Sequence, residues 1–148
     1  MSMHATVSKD GTIIAYDRLG DGPPVVMVAG AFNDRATTAP LAVALQDRFT
    51  VLNPDRRGRG DSGDSDSYAV EREIEDLDSL IGEAGGSAAL FGYSSGAMLA
   101  LRAAAYGDPV HRYAAQAAVR AAPVPQISAG RYRRRTPRMP ANLCTRPR

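Results

Sequence analysis

The sequence predicts an α/β protein whose parallel sheet is covered by helices on both faces. Residues 24–30, PVVMVAG, are a continuous apolar and β-branched run, typical of a strand that is buried on both sides. Further apolar runs then alternate with segments of helical period up to residue 106. With 148 residues, of which 44% are hydrophobic, the chain can form one domain with a core of ordinary size.

The first elements follow from local patterns. Residues 4–7 and 12–18 alternate apolar and polar around Lys9-Asp10-Gly11, and Asp-Gly is a strong hairpin signal. Residues 36–48 have apolar positions at helical spacing, so a helix there would lead into a strand over residues 49–53. An antiparallel pair is therefore expected to open the domain before the parallel strands begin.

An amphipathic helix is predicted over residues 68–84, because its apolar residues recur at helical spacing. Five carboxylates lie between them: Glu71, Glu73, Glu75, Asp76 and Asp78. We interpret this run as a solvated helix face rather than a metal site, since no histidine accompanies it.

The stretch from Ser87 to Tyr106 organises the rest of the chain. Residues 88–91 are typical of a short buried strand and residues 97–106 of an Ala/Leu-rich helix, so Gly92-Tyr93-Ser94-Ser95-Gly96 forms the turn between them. A sharp turn crowds the backbone, and the two glycines remove the Cβ atoms that would clash. This geometry lifts Ser94 above the sheet and leaves the N–H of Ser95 at a helix N-terminus, where it favours negative charge.

Residues 55–62 form a glycine-containing loop with three arginines. Four nearby aspartates, at positions 55, 61, 64 and 66, are expected to neutralise this basic patch. The loop therefore argues against nucleic-acid binding, which needs unopposed positive charge.

In this order the elements resemble the α/β-hydrolase family over residues 5–106. The Gly-x-Ser-x-Gly motif at 92–96 is similar to the family's nucleophile elbow, and residues 55–62 match its Asp-Arg-x-Gly-x-Gly-x-Ser loop. Ala29-Gly30 stands where the family commonly has His-Gly. The resemblance implies a partial α/β-hydrolase sheet, in which residues 1–106 are the N-terminal part of the domain, through the elbow.

The resemblance also implies a serine hydrolase. Ser94 would be the nucleophile on a small ester-like substrate, and the N–H groups of Ser95 and Ala31 would hold the oxyanion. No metal or other cofactor is implied.

Such a nucleophile needs a histidine base and an acid that orients it. The chain has only His4 and His111, and neither is expected to serve. His4 is an exposed residue at the start of the first strand pair, and a helix would carry residues 108–111 about 15 Å or more from Ser94. Asp108 is excluded as the acid for the same reason. We therefore expect a truncated chain that lacks the triad acid and base.

Residues 107–148 differ from the rest of the chain. Residues 1–106 carry a net charge of −6, whereas this segment has nine arginines and one aspartate, a net charge of +8. It could be a basic tail that binds polyanions, which would make the chain a non-catalytic binding protein. A slip of reading frame after Tyr106 is the favoured explanation, because GC-rich DNA read out of frame yields such an Arg/Ala/Pro mixture. The tail is expected to be irregular, which would leave the strand over residues 88–91 as the edge of the sheet.

The remaining signals concern location. Cys144 is the only cysteine, so no disulfide can form within the chain, and this suits a reducing compartment. The N-terminus has no charged start followed by an apolar core, and the longest apolar run, residues 25–32, is too short to cross a bilayer. A cytoplasmic protein without membrane association is expected.

Overall fold

The structure, a computed structural model, describes residues 2–106 and the backbone of residues 112–117. Its elements in chain order are β1 (Ser2–Val7), β2 (Ile13–Leu19), β3 (Pro24–Val28), α1 (Arg35–Leu45), β4 (Thr50–Pro54), α2 (Val70–Glu83), β5 (Ser87–Gly92), α3 (Ser95–Tyr106) and β6 (Arg112–Ala117). The predicted elements are all present, with bounds that differ by a few residues.

The described strands form one mixed sheet in the order β1-β2-β4-β3-β5-β6. β1 and β2 form the predicted antiparallel hairpin, and β2 pairs antiparallel with β4. The strands β4, β3, β5 and β6 are parallel to one another. The predicted fold class, an α/β-hydrolase-like sheet opened by a hairpin, is confirmed.

The sheet has a core on each face. α2 and α3 cover one face, where Leu80, Leu90 and Leu99 are among the buried side chains. α1 covers the other face through Ala42, which packs with Met27 and Val51. The side chain of Asp34 begins α1 by accepting hydrogen bonds from the N–H groups of Ala36 and Thr37. β3 is buried from both sides, as its apolar sequence predicts.

The prediction of an irregular tail is wrong for residues 112–117. These residues form β6, which pairs in parallel with β5 from Ser87↔Arg112 to Gly92↔Ala117. β5 is therefore an interior strand rather than the edge of the sheet. The other tail residues, and with them the predicted polyanion-binding arginines, lie outside the described residues.

The carboxylates of α2 are not all on a solvated face. Glu73 and Asp76 are 4% and 5% exposed, and they form ion pairs with Arg56 and Arg57 respectively. The acids that pair with these two loop arginines thus lie mainly in α2. Asp55, one of the predicted partners, instead accepts hydrogen bonds from the backbone N–H and the guanidinium of Arg35. Arg56 and Arg57 are thus neutralised, as expected, but by Glu73, Asp10 and Asp76, none of which is among the aspartates predicted at positions 55, 61, 64 and 66.

Within the described residues, no helix combines the length and hydropathy needed to cross a bilayer.

Candidate active site

Ser94 lies at the apex of a sharp turn between β5 and α3. β5 ends at Gly92 and α3 begins at Ser95, so only two residues join them. Ser94 has a φ angle of 54°, in the left-handed region that non-glycine residues rarely adopt. Its side chain is exposed. The chain therefore turns as the Gly-x-Ser-x-Gly motif predicts and presents this hydroxyl to solvent.

The two glycines of the motif are required by close backbone packing. A Cβ on Gly92 would lie 2.4 Å from the carbonyl oxygen of Gly96, and one on Gly96 would lie 2.1 Å from that of Val28. Any side chain at either position would force the backbone apart. The missing Cβ atoms let the first turn of α3 approach the carboxyl end of β3.

This approach brings the turn beside the loop that follows β3. A Cβ built on Gly30 would lie 3.3 Å from Cβ of Ser94 and 3.1 Å from the ring of Tyr93. Ala31, the next residue, is a predicted oxyanion donor. Among the described residues, neither the N–H of Ala31 nor that of Ser95 donates a hydrogen bond. Both predicted donors thus lie in backbone segments that flank Ser94 and keep their N–H groups available.

Arg56 connects these two segments, and the sequence analysis gave it no role. Its Nη1 donates to the carbonyl oxygen of Ala29 at 3.1 Å and to Oγ of Ser95 at 3.2 Å. Its Nε and Nη2 donate to the two carboxylate oxygens of Glu73 at 2.5 and 2.7 Å. The sequence carries only a partial signal for these contacts: Glu73 and Asp76 are three residues apart in α2 and so share a helix face.

The environment of Glu73 keeps it ionised. Burial would raise its pKa, but the hydrogen bonds and charge of Arg56, together with the hydroxyl of Tyr68, hold the pKa of Glu73 below its ordinary value. Tyr68 donates to Oε1 of Glu73 at 2.8 Å, and this bond, with burial, raises the pKa of Tyr68. Glu73 is therefore ionised at neutral pH.

Phe32 lies directly after Ala31 and is unusual in two respects. Its φ angle is 63°, and its side chain is 98% exposed. A bulky residue in left-handed backbone is strained, and no packing of the described residues compensates for it.

The described residues bring no histidine to Ser94. His4 stacks on Tyr16, with ring centroids 5.5 Å apart, in the strand at the far edge of the sheet. Four strand spacings separate β1 from β5, a distance of about 19 Å. His111 and Asp108 lie outside the described residues. Among the residues that are described, no group of three or more His, Cys, Asp or Glu side chains could hold a metal ion.

The known proteins that resemble this chain include the following three. A crystal structure of an alpha/beta hydrolase from Sphaerobacter thermophilus DSM 20745 is 59% identical, has a TM-score of 0.71, and is matched over 76% of this chain and 44% of its own. The 2-(acetamidomethylene)succinate hydrolase of Mesorhizobium japonicum (strain LMG 29417 / CECT 9101 / MAFF 303099) is 37% identical over 94 residues, 62% of this chain and 34% of that protein. The bottromycin epimerase BotH, solved with bottromycin A2, is 32% identical with a TM-score of 0.65, over 71% of this chain and 44% of its own.

The chain thus spans less than half the length of each of these relatives. The family model described as "Alpha/beta hydrolase family" matches residues 25–147, which is most of the chain. Together with the sheet order and the strand-turn-helix geometry at Ser94, this match shows that the chain belongs to the alpha/beta hydrolase family.

Proposed function

We propose that this chain carries the nucleophile and the oxyanion donors of a serine hydrolase that acts on small ester-like substrates. The observation that carries the proposal is Ser94 itself, an exposed hydroxyl held at a φ of 54° at the end of a sheet strand. Backbone strain of this kind is costly and is found most often at active sites and ligand-binding sites. The family includes hydrolases, and the curated relative is one of them.

In the proposed reaction, Oγ of Ser94 attacks the carbonyl carbon of the ester while its proton passes to a base. The carbonyl π electrons move to oxygen, and the N–H groups of Ser95 and Ala31 stabilise that oxyanion. When the carbonyl re-forms, the alcohol leaves with the proton and an acyl-serine remains. Water then attacks the acyl group, and the acid and free Ser94 are released.

The helix that begins at Ser95 supports this assignment. The N–H of Ser95, which donates no hydrogen bond among the described residues, lies at the positive end of the α3 dipole and directly follows Ser94. The second donor, Ala31, comes from a separate segment, as an oxyanion hole of two N–H groups requires.

The base and the orienting acid are proposed to lie outside residues 2–106. We assign no role to His111, because its neighbour Arg112 begins β6 beside Ser87. Ser87 is at the opposite end of β5 from Ser94, and a six-residue strand spans about 17 Å.

A fluorophosphonate probe tests the nucleophile, because Oγ of Ser94 displaces its fluoride to form a stable Ser–O–P bond, and the oxyanion donors retain part of the rate acceleration even where no histidine base is present. We expect modification of the unaltered chain to map to Ser94 by peptide mass analysis and to be lost in Ser94→Ala. Ser95→Ala is the matched control, since it removes the adjacent hydroxyl but keeps the backbone N–H, and it is expected to remain modified. Equal modification of Ser94→Ala and the unaltered chain would refute the proposal.

The fold alone does not determine the reaction, since an epimerase also has it. The proposal therefore rests on the residues at the turn. If the probe labels Ser94, hydrolysis of short p-nitrophenyl esters by the same preparations would show whether the acyl-serine also turns over.

A further inference from the structure

Arg56 is placed between the two segments that carry the proposed oxyanion donors. Its side chain is only 11% exposed, and it contacts the end of β3 through Ala29 and the start of α3 through Ser95. Ala29 is two residues before Ala31, and Ser95 itself is the other donor. One guanidinium nitrogen, Nη1, makes both contacts. A single planar group thus joins Ala29 and Ser95, which are 66 residues apart in sequence.

The spacing of these segments matters for the proposed chemistry. An oxyanion is stabilised only when both donors lie at hydrogen-bond distance from the position that the oxygen occupies in the transition state. An error of about 1 Å in such an arrangement can cost roughly 100-fold in rate. A contact that fixes the distance between the end of β3 and the start of α3 therefore acts on the rate of the chemical step.

Glu73 fixes Arg56 in turn. It is only 4% exposed, accepts hydrogen bonds from Nε and Nη2 of the guanidinium through its two carboxylate oxygens, and accepts a further bond from Tyr68. Arg59 adds a longer contact, from its Nη1 to the carbonyl oxygen of Gly30 at 3.5 Å. The guanidinium of Arg56 is therefore fixed by Glu73 of α2 while it contacts the end of β3 and the start of α3.

The neighbouring arginine provides a contrast. Arg57 lies in the same loop and is even more buried, with 2% of its side chain exposed, and it forms two hydrogen bonds with Asp76 of α2 and another with Asp10. Within the described residues it contacts neither the end of β3 nor the start of α3. The two arginines make similar ion pairs to the same helix, but only Arg56 reaches the candidate site.

We propose that Arg56 is a positioning residue that sets the distance between the Ala31 and Ser95 N–H groups, an inference that rests on the proposed function. It does not touch the reacting atoms. It acts through the carbonyl of Ala29 and the hydroxyl of Ser95. Lysine could not replace it fully, because an ammonium lacks the planar fork that reaches all three partners at once.

The test compares two matched double variants. Arg56→Met with Glu73→Gln removes the contacts of Arg56 with Ala29, Ser95 and Glu73, and it leaves neither charge of the ion pair buried alone. Arg57→Met with Asp76→Asn removes both charges of the neighbouring ion pair. Circular dichroism and urea unfolding give the folded fraction of each. The fluorophosphonate reaction is then followed over a range of probe concentrations, which separates the maximal rate, kinact, from the apparent dissociation constant, KI.

We expect the Arg56 variant to lower kinact at least about 10-fold per folded molecule while KI changes little. The Arg57 variant is expected to lose stability but to keep the kinact of the unaltered chain. Arg56→Lys keeps the positive charge, and its kinact should lie between the values of the two double variants. The ³¹P chemical shift of the Ser94 adduct, whose phosphoryl oxygen occupies the oxyanion position, is expected to change in the Arg56 variant only.

The outcomes separate this inference from the proposed function. If the unaltered chain is not labelled at Ser94, both are refuted. If Ser94 is labelled and the two double variants have the same kinact and ³¹P shift, the nucleophile stands and the positioning role of Arg56 is refuted. A change confined to stability would likewise assign Arg56 to structure alone.

Discussion

Gly96 lies so close to Val28 that a Cβ atom added to it would be 2.1 Å from the Val28 carbonyl oxygen. This contact joins the first turn of α3 to the end of β3. Because the turn carries Ser94 and the end of β3 leads to Ala31, the same contact determines the geometry of the candidate site. The absence of one methyl group is thus a structural requirement for bringing the two segments together.

Replacement of Gly96 by alanine is expected to lower the free energy of unfolding by about 3 kcal/mol, because backbone atoms of β3 or α3 would have to move. Urea unfolding followed by circular dichroism measures the change. Gly82→Ala is the control, since a Cβ there would have no neighbour within 4 Å and the residue lies in α2. That substitution should raise the free energy of unfolding by up to about 1 kcal/mol through helix propensity. Equal effects of the two substitutions would contradict the packing at Gly96.

The left-handed backbone of Ser94 gives a second prediction. Ser94→Gly should have a free energy of unfolding about 1 kcal/mol higher than Ser94→Ala, because only glycine adopts a φ of 54° without steric cost. Both variants lack the hydroxyl, so the comparison isolates the backbone strain. Urea unfolding of the pair provides the measurement. If the alanine variant were as stable as the glycine variant, Ser94 would not be strained.

The strand-turn-helix around Ser94 could be predicted because each part has a local signal. A short apolar run, two glycines and an Ala/Leu-rich segment specify a strand, a tight turn and a helix with no reference to the rest of the chain. The hairpin at Asp10-Gly11 was predictable for the same reason. The outer strand β6 was missed, because RYAAQA has weak strand propensity and pairing with the buried β5 is a tertiary effect.

The Arg56 contacts could not be predicted in the same way. A helical pattern shows which residues of α2 share a face, but it does not show which group lies opposite Glu73. The loop has three arginines within four positions, and the sequence does not determine which of them meets which acid. The charges were therefore interpreted as a solvated face, whereas the fold buries two of the carboxylates against arginines.

Phe32 gives a third prediction. Its side chain is almost fully exposed, so removal of the ring loses little buried apolar surface. Its φ of 63° disfavours any residue with a Cβ. Phe32→Gly should therefore be more stable to urea than Phe32→Ala by about 1 kcal/mol. The alanine variant removes the same ring and retains the strain, so it serves as the control. Equal stability of the two would show that the backbone relaxes at this position.

The pH dependence of stability gives a fourth prediction, carried by Glu73. Although burial acts to raise its pKa, its bonds to Arg56 and Tyr68 hold the pKa in the folded chain below the ordinary value of 4.5. The unfolded chain therefore binds a proton at a higher pH than the folded chain does. The resulting stabilisation is complete above pH of about 4.5 and is lost as the pH falls through the lower folded pKa.

The free energy of unfolding is thus expected to decrease below pH 4.5, and Glu73→Gln should make that decrease less steep. One group contributes at most about 1.4 kcal/mol per pH unit, which sets the upper limit for the difference in slope. Urea unfolding between pH 3 and 7 measures both slopes. Glu71→Gln, which removes an exposed carboxylate from the same helix, should keep the slope of the unaltered chain. An unchanged slope in Glu73→Gln would mean that Arg56 does not hold this carboxylate in its charged form. Glu73 would then not fix the side chain that donates to Ser95.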